Sequence, residues 1–126
     1  MTPIKILIID DDLQVHRILS KMLETKGYEI FSAEEGESGL KQFKEEKPDL
    51  LLLDLMMPNI SGFELCQRIR EIPSSPKPLI LILSAKEAQM DRRRCLELGA
   101  DDFVSKPFHI SSLVRKIEHM LSKRGE

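Results

Sequence analysis

The sequence is poor in several kinds of residue, and each scarcity narrows what the protein can be. Its 126 residues include no tryptophan, one tyrosine and two cysteines, Cys66 and Cys95. The cysteines have neither the spacing of a zinc site nor a partner histidine motif, so we expect free thiols in a reducing cytosol. A disulfide between them is the less favoured alternative.

Long apolar runs and an excess of charge of one sign are also missing. No apolar stretch approaches the roughly 18 residues of a membrane-spanning helix, and the first residues lack the layout of a signal peptide. The net charge of −2 gives no general reason to expect binding to nucleic acid or to an anionic membrane. We therefore expect a cytoplasmic protein with neither kind of partner.

The residues that are present suit a single folded domain. Apolar residues make up 41% of the chain and charged residues 32%, which is enough for a core and a charged surface. The length of 126 residues lies within the ~100–150 residues typical of a domain. We expect one domain that covers residues 1–126.

Short apolar runs alternate with amphipathic segments along the whole chain. The clearest run is four leucines and an acid, Leu50 to Asp54, followed by a turn that Pro58 and Gly62 favour. The predicted strands cover residues 4–9, 28–33, 50–54, 79–83 and 102–105. The predicted helices cover residues 13–26, 35–46, 61–72 (with Ser61 as N-cap), 87–98 and 111–122.

This alternation predicts an α/β fold with five βα units. Strands that are apolar throughout are typical of a parallel sheet covered by helices on both faces. Right-handed crossovers leave few topologies, and the doubly wound strand order 2-1-3-4-5 is the favoured one. In such a sheet, ligands bind beyond the carboxyl ends of the strands, between strands 1 and 3.

Polar residues stand at the ends of four of the predicted strands, so we expect them to meet at one edge of the sheet. They are Asp10, Asp11 and Asp12 after strand 1, Asp54 after strand 3, Ser84 after strand 4 and Lys106 after strand 5. Neighbouring carboxylates repel each other unless a cation separates them, and oxygen ligands favour Mg²⁺. The pattern therefore predicts magnesium-dependent phosphoryl transfer with an aspartate as the acceptor.

The four segments that carry these residues closely resemble the receiver domain of bacterial two-component response regulators. They are Ile6 to Asp12, Leu50 to Pro58, Leu83 to Ala85 and Lys106 to Phe108. The resemblance implies a CheY-like, flavodoxin-like fold. It also implies that Asp54 accepts a phosphoryl group from a histidine kinase or a histidine phosphotransfer protein.

The resemblance assigns a role to each residue of the predicted site. Asp11 and Asp54 would bind Mg²⁺ directly, with the backbone carbonyl of Met56, and Asp10 would act mainly through a bound water. Lys106 would pair with the phosphoryl group, and Ser84 would donate its hydroxyl to it. Phe103 matches the aromatic position whose rotamer follows phosphorylation, and the Lys106–Pro107 bond is expected to be cis.

The resemblance also implies how such a protein acts. It would be a switch and not an enzyme, with no turnover beyond its own phosphorylation and dephosphorylation. Phosphorylation would change the surface of helix 4, strand 5 and helix 5, which would control an effector protein or a covalently linked output domain. The same surface could form a phosphorylation-dependent homodimer.

Other interpretations compete with several of these assignments. An aspartyl-phosphate phosphohydrolase is the alternative function, but such an enzyme needs an acid where Met56 stands. Asp12 is expected to be a helix cap, while Ser84 as a simple cap and Phe103 as an ordinary core residue remain alternatives. We expect residues 92–94, three arginines, to form a solvated helix face, and the three histidines to lie on the surface. The histidines are His16, His109 and His119.

Overall fold

Five strands and five helices alternate strictly in the computed structural model, which describes residues 2–57, 59–74, 76–85 and 89–124. The strands are β1 (Lys5–Ile9), β2 (Glu29–Ala33), β3 (Leu50–Asp54), β4 (Leu79–Ala85) and β5 (Asp102–Lys106). The helices are α1 (Leu13–Glu24), α2 (Gly36–Glu46), α3 (Gly62–Glu71), α4 (Arg92–Glu97) and α5 (Ile110–Arg124). Within the described part of the chain, no helix is both long and apolar enough to cross a bilayer.

The strands form one parallel sheet in the order β2-β1-β3-β4-β5, which confirms the predicted topology. The register decides which residues meet at the carboxyl edge. Ile9 pairs with Leu53, and Asp54 pairs with Leu83. Asp10 and Asp54 therefore end neighbouring strands, and Ser84 lies one position further along the strand on the other side of β3.

Each face of the sheet is covered by its own set of helices. The leucines of β3 are completely buried, because alternate residues enter opposite cores. One core joins the sheet to α1 and α5 and contains Ile8, Leu50, Leu52, Leu19, Leu23, Leu113 and Ile117. The other joins the sheet to α2, α3 and α4 and contains Ile9, Leu51, Leu53, Phe43, Leu65, Ile69 and Cys95.

Helix caps set several of the boundaries that the sequence predicts. The Asp12 carboxylate accepts a hydrogen bond from the backbone N–H of Gln14, and the Ser61 hydroxyl accepts one from that of Glu64. Gly27 follows α1 with a φ of 91°, a conformation that glycine adopts at no steric cost. The caps at Asp12 and Ser61 are therefore confirmed.

The prediction for α4 is wrong in length. Residues 87–98 were expected to be helical, but the helix covers only Arg92–Glu97, and residues 87 and 88 lie outside the described residues. Asp91 has an extended backbone, and its carboxylate accepts a hydrogen bond of 2.8 Å from the N–H of Arg94. An aspartate in this role starts a helix, so Gln89 and Met90 are left outside it.

Gly62, the first residue of α3, lies very close to the backbone at the end of β3. A Cβ at this position would overlap the carbonyl oxygen of Asp54 and lie 2.5 Å from the Cα of Leu55. Both neighbours are backbone atoms, so Gly62→Ala should lower the free energy of unfolding by about 1–3 kcal/mol. Urea denaturation measures this loss.

Gly27→Asn is the control for that substitution. Nothing lies within 4 Å of a Cβ built at Gly27, and asparagine tolerates its positive φ better than most residues. If Gly62→Ala were as stable as Gly27→Asn, the close approach of α3 to the Asp54 backbone would be refuted.

Candidate functional site

Three carboxylates converge at the carboxyl edge of the sheet, where the winding reverses. Oxygen atoms of Asp10, Asp11 and Asp54 all lie within 4.8 Å of one another. Asp10 is completely buried and Asp54 is 4% exposed, whereas Asp11 is open to solvent. Three acids at this spacing form a site that can share one cation, as the sequence predicts.

Among the described residues, Lys106 supplies the positive charge that pairs with the two buried acids. Its Nζ atom lies 2.8 Å from Oδ2 of Asp10 and 3.7 Å from Oδ2 of Asp54. The remaining oxygens accept backbone hydrogen bonds, Asp10 Oδ1 from the N–H of Asp12 at 2.9 Å and Asp54 Oδ1 from that of Met56 at 3.1 Å. The acids are therefore partly neutralised before any ion or phosphoryl group arrives.

Burial and mutual repulsion alter the proton affinity of this cluster. Burial, together with the neighbouring charge of Asp10, raises the pKa of Asp54 to about 6, although Met56 and Lys106 oppose the shift. Burial by itself lowers the pKa of Lys106, but its hydrogen bond to Asp10 and the charges of Asp10 and Asp54 outweigh that effect and raise it. Lys106 therefore stays cationic, while Asp54 ionises less readily than an exposed acid.

Ser84 is the predicted hydroxyl donor, and its surroundings are unusual. The residue is 1% exposed, and among the residues that the structure describes its Oγ atom has no hydrogen-bond partner. An unpaired buried hydroxyl is costly, so an acceptor that arrived at this edge would find a ready donor. The structure records no hydrogen bond between Ser84 and Asp54, and the donation by Ser84 to a phosphoryl group that the resemblance implies stays a prediction.

The other predicted residues lie close by, with different relations to the cluster. The backbone of Met56 contacts Asp54 through its N–H, and the prediction for its carbonyl stays a prediction. Phe103 pairs with Ile82 on β4 and is partly buried against the core of α2, α3 and α4. The Lys106–Pro107 bond is cis, as expected.

The prediction for His16 is wrong, because this residue is buried and not on the surface. It is 7% exposed, and its Nε2 atom donates a hydrogen bond to the backbone carbonyl of Asp10. The periodicity of α1 could have revealed this, since position 16 precedes the buried Leu19 and Leu23 by three and seven residues. His109 and His119 are exposed, as predicted.

Both cysteines are free and fully buried, as the sequence predicts. Burial raises the pKa of the Cys66 thiol to about 11 and also raises that of Cys95. Thiols of this kind are poor nucleophiles and poor metal ligands. They contribute packing between α3 and α4 and not chemistry.

With this geometry established, comparison with known proteins assigns the class. Residues 6–118 match the family described as "Response regulator receiver domain". A receiver domain protein (CheY-like) from Methanospirillum hungatei JF-1 has a TM-score of 0.86 and 26% identity, covering 98% of each chain. The chain therefore belongs to the response regulator receiver domain family, whose members are signalling proteins and not enzymes in the usual sense.

Two relatives named as transcriptional regulators are similar in sequence. "Probable transcriptional regulator ycf27" of Porphyridium aerugineum is 43% identical, covering 94% of this chain and 48% of its own length. "Alkaline phosphatase synthesis transcriptional regulatory protein PhoP" of Bacillus subtilis (strain 168) is 38% identical, covering 94% of this chain and 49% of its own length. The chain thus spans about half the length of these relatives.

The buried acid should make the stability of the metal-free protein depend on pH. The pKa of Asp54 rises from an ordinary 3.8 to about 6 in the fold, so the folded state binds more protons between these values. The contribution of Asp54 to stability is therefore present below about pH 4 and lost as the pH rises through about 6.

Asp54→Asn should abolish the loss of stability that accompanies ionisation of Asp54. It should therefore raise the free energy of unfolding near neutral pH by up to about 3 kcal/mol. Urea denaturation with a chelator, from about pH 4 to about pH 7, measures it. Asp12→Asn is the control, because it removes a nearby exposed charge while asparagine keeps the helix cap. Equal pH slopes in the two variants would contradict the assignment.

Proposed function

We propose that residues 1–126 form one receiver domain that accepts a phosphoryl group on Asp54. The donor would be a histidine kinase or a histidine phosphotransfer protein. The observation that carries this proposal is the arrangement of one buried carboxylate, Asp54, with Lys106 at 3.7 Å and two further acids within 4.8 Å. A phosphoryl group together with a divalent cation suits this arrangement. The three acids can bind the cation, and Lys106 can bind a phosphoryl oxygen.

Magnesium is the proposed cofactor, held by Asp10, Asp11, Asp54 and the backbone carbonyl of Met56. The donor set fits, because every predicted ligand is an oxygen atom and hard cations prefer oxygen. When bound, the ion would neutralise the charge that develops on the phosphoryl oxygens.

The chain's own residues then account for the transfer. An ionised Asp54 oxygen attacks phosphorus while the phosphorus–nitrogen bond of a phosphohistidine breaks, and the imidazole leaves with the bonding electrons. Lys106 holds one phosphoryl oxygen by charge, and Ser84 offers the proton of its unpaired hydroxyl to another. The position of an additional general acid is taken by Met56, so we favour a switch over a phosphohydrolase.

The proposed signal follows from these same contacts. A phosphoryl group adds about −1.5 to −2 charge at the end of β3. Ser84 and Lys106 move toward it, and Phe103 turns into the space that Ser84 leaves behind. The surface of α4, β5 and α5 then changes and controls an effector, an attached output domain or a homodimer.

The surface around the site supports a protein as the phosphoryl donor. Met56, Leu13 and Ile18 are 59%, 58% and 44% exposed, which is high for large apolar side chains. A cavity of about 650 Å³ between α1 and the β5–α5 connection continues this surface beside Lys106. Apolar surface beside an acidic site suits a protein partner better than a small charged substrate.

Phosphorylation of Asp54 can be tested by mass spectrometry. With acetyl phosphate and Mg²⁺, the wild type should gain the mass of one phosphoryl group, and Asp54→Asn should gain none. Asp12→Asn is the matched control and should be labelled like the wild type, since it keeps the acceptor and the α1 cap. Wild-type labelling of Asp54→Asn would mean that another residue is the acceptor.

The metal assignment is tested separately by calorimetry with Mg²⁺ alone. Asp11→Asn should weaken Mg²⁺ binding by at least about tenfold, because an exposed direct ligand is lost. Asp12→Asn again serves as the control and should bind Mg²⁺ within about threefold of the wild type, since only a screened charge is removed. Equal affinities for the Asp11 and Asp12 variants would refute the ligand set.

A further inference from the structure

The shortest helix of the described residues, α4, is held by its neighbours α3 and β5. It has six residues, whereas an isolated helix needs roughly 12–15 to be even marginally stable in water. Neighbouring elements must therefore hold it, and three side chains of α3 contact it or the turn that follows it. These side chains are Phe63, Cys66 and Arg70.

The C-terminal end of α4 is held by hydrogen bonds to partly buried groups. Cys66 Sγ donates to the carbonyl of Leu98 at 3.1 Å. Arg70 donates to the carbonyl of Gly99 at 2.6 Å and to the carboxylate of Asp101 at 3.0 Å. Three directed contacts therefore fix this end of the helix and the following turn to α3.

Further toward the start of α4, the contact is of a different kind. The guanidinium carbon of Arg94 lies 4.8 Å from the centroid of the Phe63 ring. Arg94 is exposed, and an exposed cation–π contact changes an equilibrium by only about two- to fivefold. Arg92, the first residue of α4, also pairs with Asp102 of β5 at 3.7 Å, so the Phe63–Arg94 pair is one of the contacts that hold this part of α4.

Phe63 is also fixed with respect to the acceptor strand. It follows Gly62, whose N–H donates to the carbonyl of Leu55 at 3.0 Å and whose Cα packs against the backbone of Asp54. A movement of the Asp54 turn is therefore transmitted to the Phe63 ring.

We propose that the Phe63–Arg94 pair holds α4 in its resting position, and that its release couples phosphorylation of Asp54 to movement of α4. This rests on the proposed function and adds the contact through which the signal passes. Loss of the pair destabilises the resting state alone, so the active state becomes more populated and a phosphoryl analogue binds more tightly.

The test compares Arg94→Ala and Phe63→Leu, singly and together, with Arg93→Ala. Arg93 lies on the same helix and is 89% exposed, and it pairs with Glu97 on that helix at 3.1 Å. Two quantities are measured for each protein: amide hydrogen exchange of α4 in the resting state, and affinity for beryllofluoride with Mg²⁺.

Each variant at Phe63 or Arg94 should raise both the exchange rate and the affinity by about two- to fivefold. The double variant should add nothing to the larger single effect, and Arg93→Ala should change both by less than about twofold. The double variant isolates the pair, because any other contact of Arg94 is lost in both backgrounds.

Two results would overturn the proposal. One is that Arg94→Ala behaves like Arg93→Ala in both measurements, and the other is that the effects of the Phe63 and Arg94 variants add. Failure of the wild type to bind beryllofluoride with Mg²⁺ is a different outcome and would overturn the proposed function. The resting exchange rates would then still decide whether the pair holds α4.

Discussion

The ammonium group of Lys106 between Asp10 and Asp54 is the interaction on which the site depends. Two buried carboxylates on neighbouring strands repel each other strongly, and the apolar core behind them provides no solvation. Lys106 reaches both from β5, at 2.8 and 3.7 Å. The sheet can therefore carry acids at the ends of two adjacent strands without losing its fold.

Lys106 lies closer to Asp10 than to Asp54, so the two acids are not equally stabilised. Lys106 is hydrogen-bonded to Asp10 but is only near Asp54, which accepts one backbone N–H from the described residues, that of Met56. Asp54 is thus the less well satisfied of the two acids, and its pKa is raised to about 6. Together with the unpaired hydroxyl of Ser84, this leaves unused interactions at the end of β3 that an incoming group can satisfy.

The sequence predicts the fold and the residues of the site to a large extent, because both follow from strand ends. Nearly continuous apolar runs identify the central strands β1, β3 and β4, and an acid directly after such a run must lie at the edge of the sheet. The start of α4 was not predictable in this way, because it is set by the N-cap Asp91 and not by apolar periodicity. His16 was misjudged because a polar residue type outweighed its position on the buried face of α1.

Contacts between distant segments were beyond prediction for another reason. Nothing in the pattern of residues 92–94 distinguishes Arg93, which pairs within its own helix, from Arg94, which lies over Phe63. Similarly, the sequence names Ser84 as a donor but cannot tell that its hydroxyl is unpaired in this state. Such details depend on how helices pack across a sheet, and they require coordinates.

The division of the interior into two cores has a consequence for how such a protein can diversify. α1 and α5 pack on one face of the sheet, while α2, α3 and α4 pack on the other, and the largely buried strands β1, β3 and β4 separate them. A substitution that repacks α3 against α4 leaves the packing of α1 untouched. The surface beside α1 and the position of α4 can therefore be altered independently, because the two cores contain different residues.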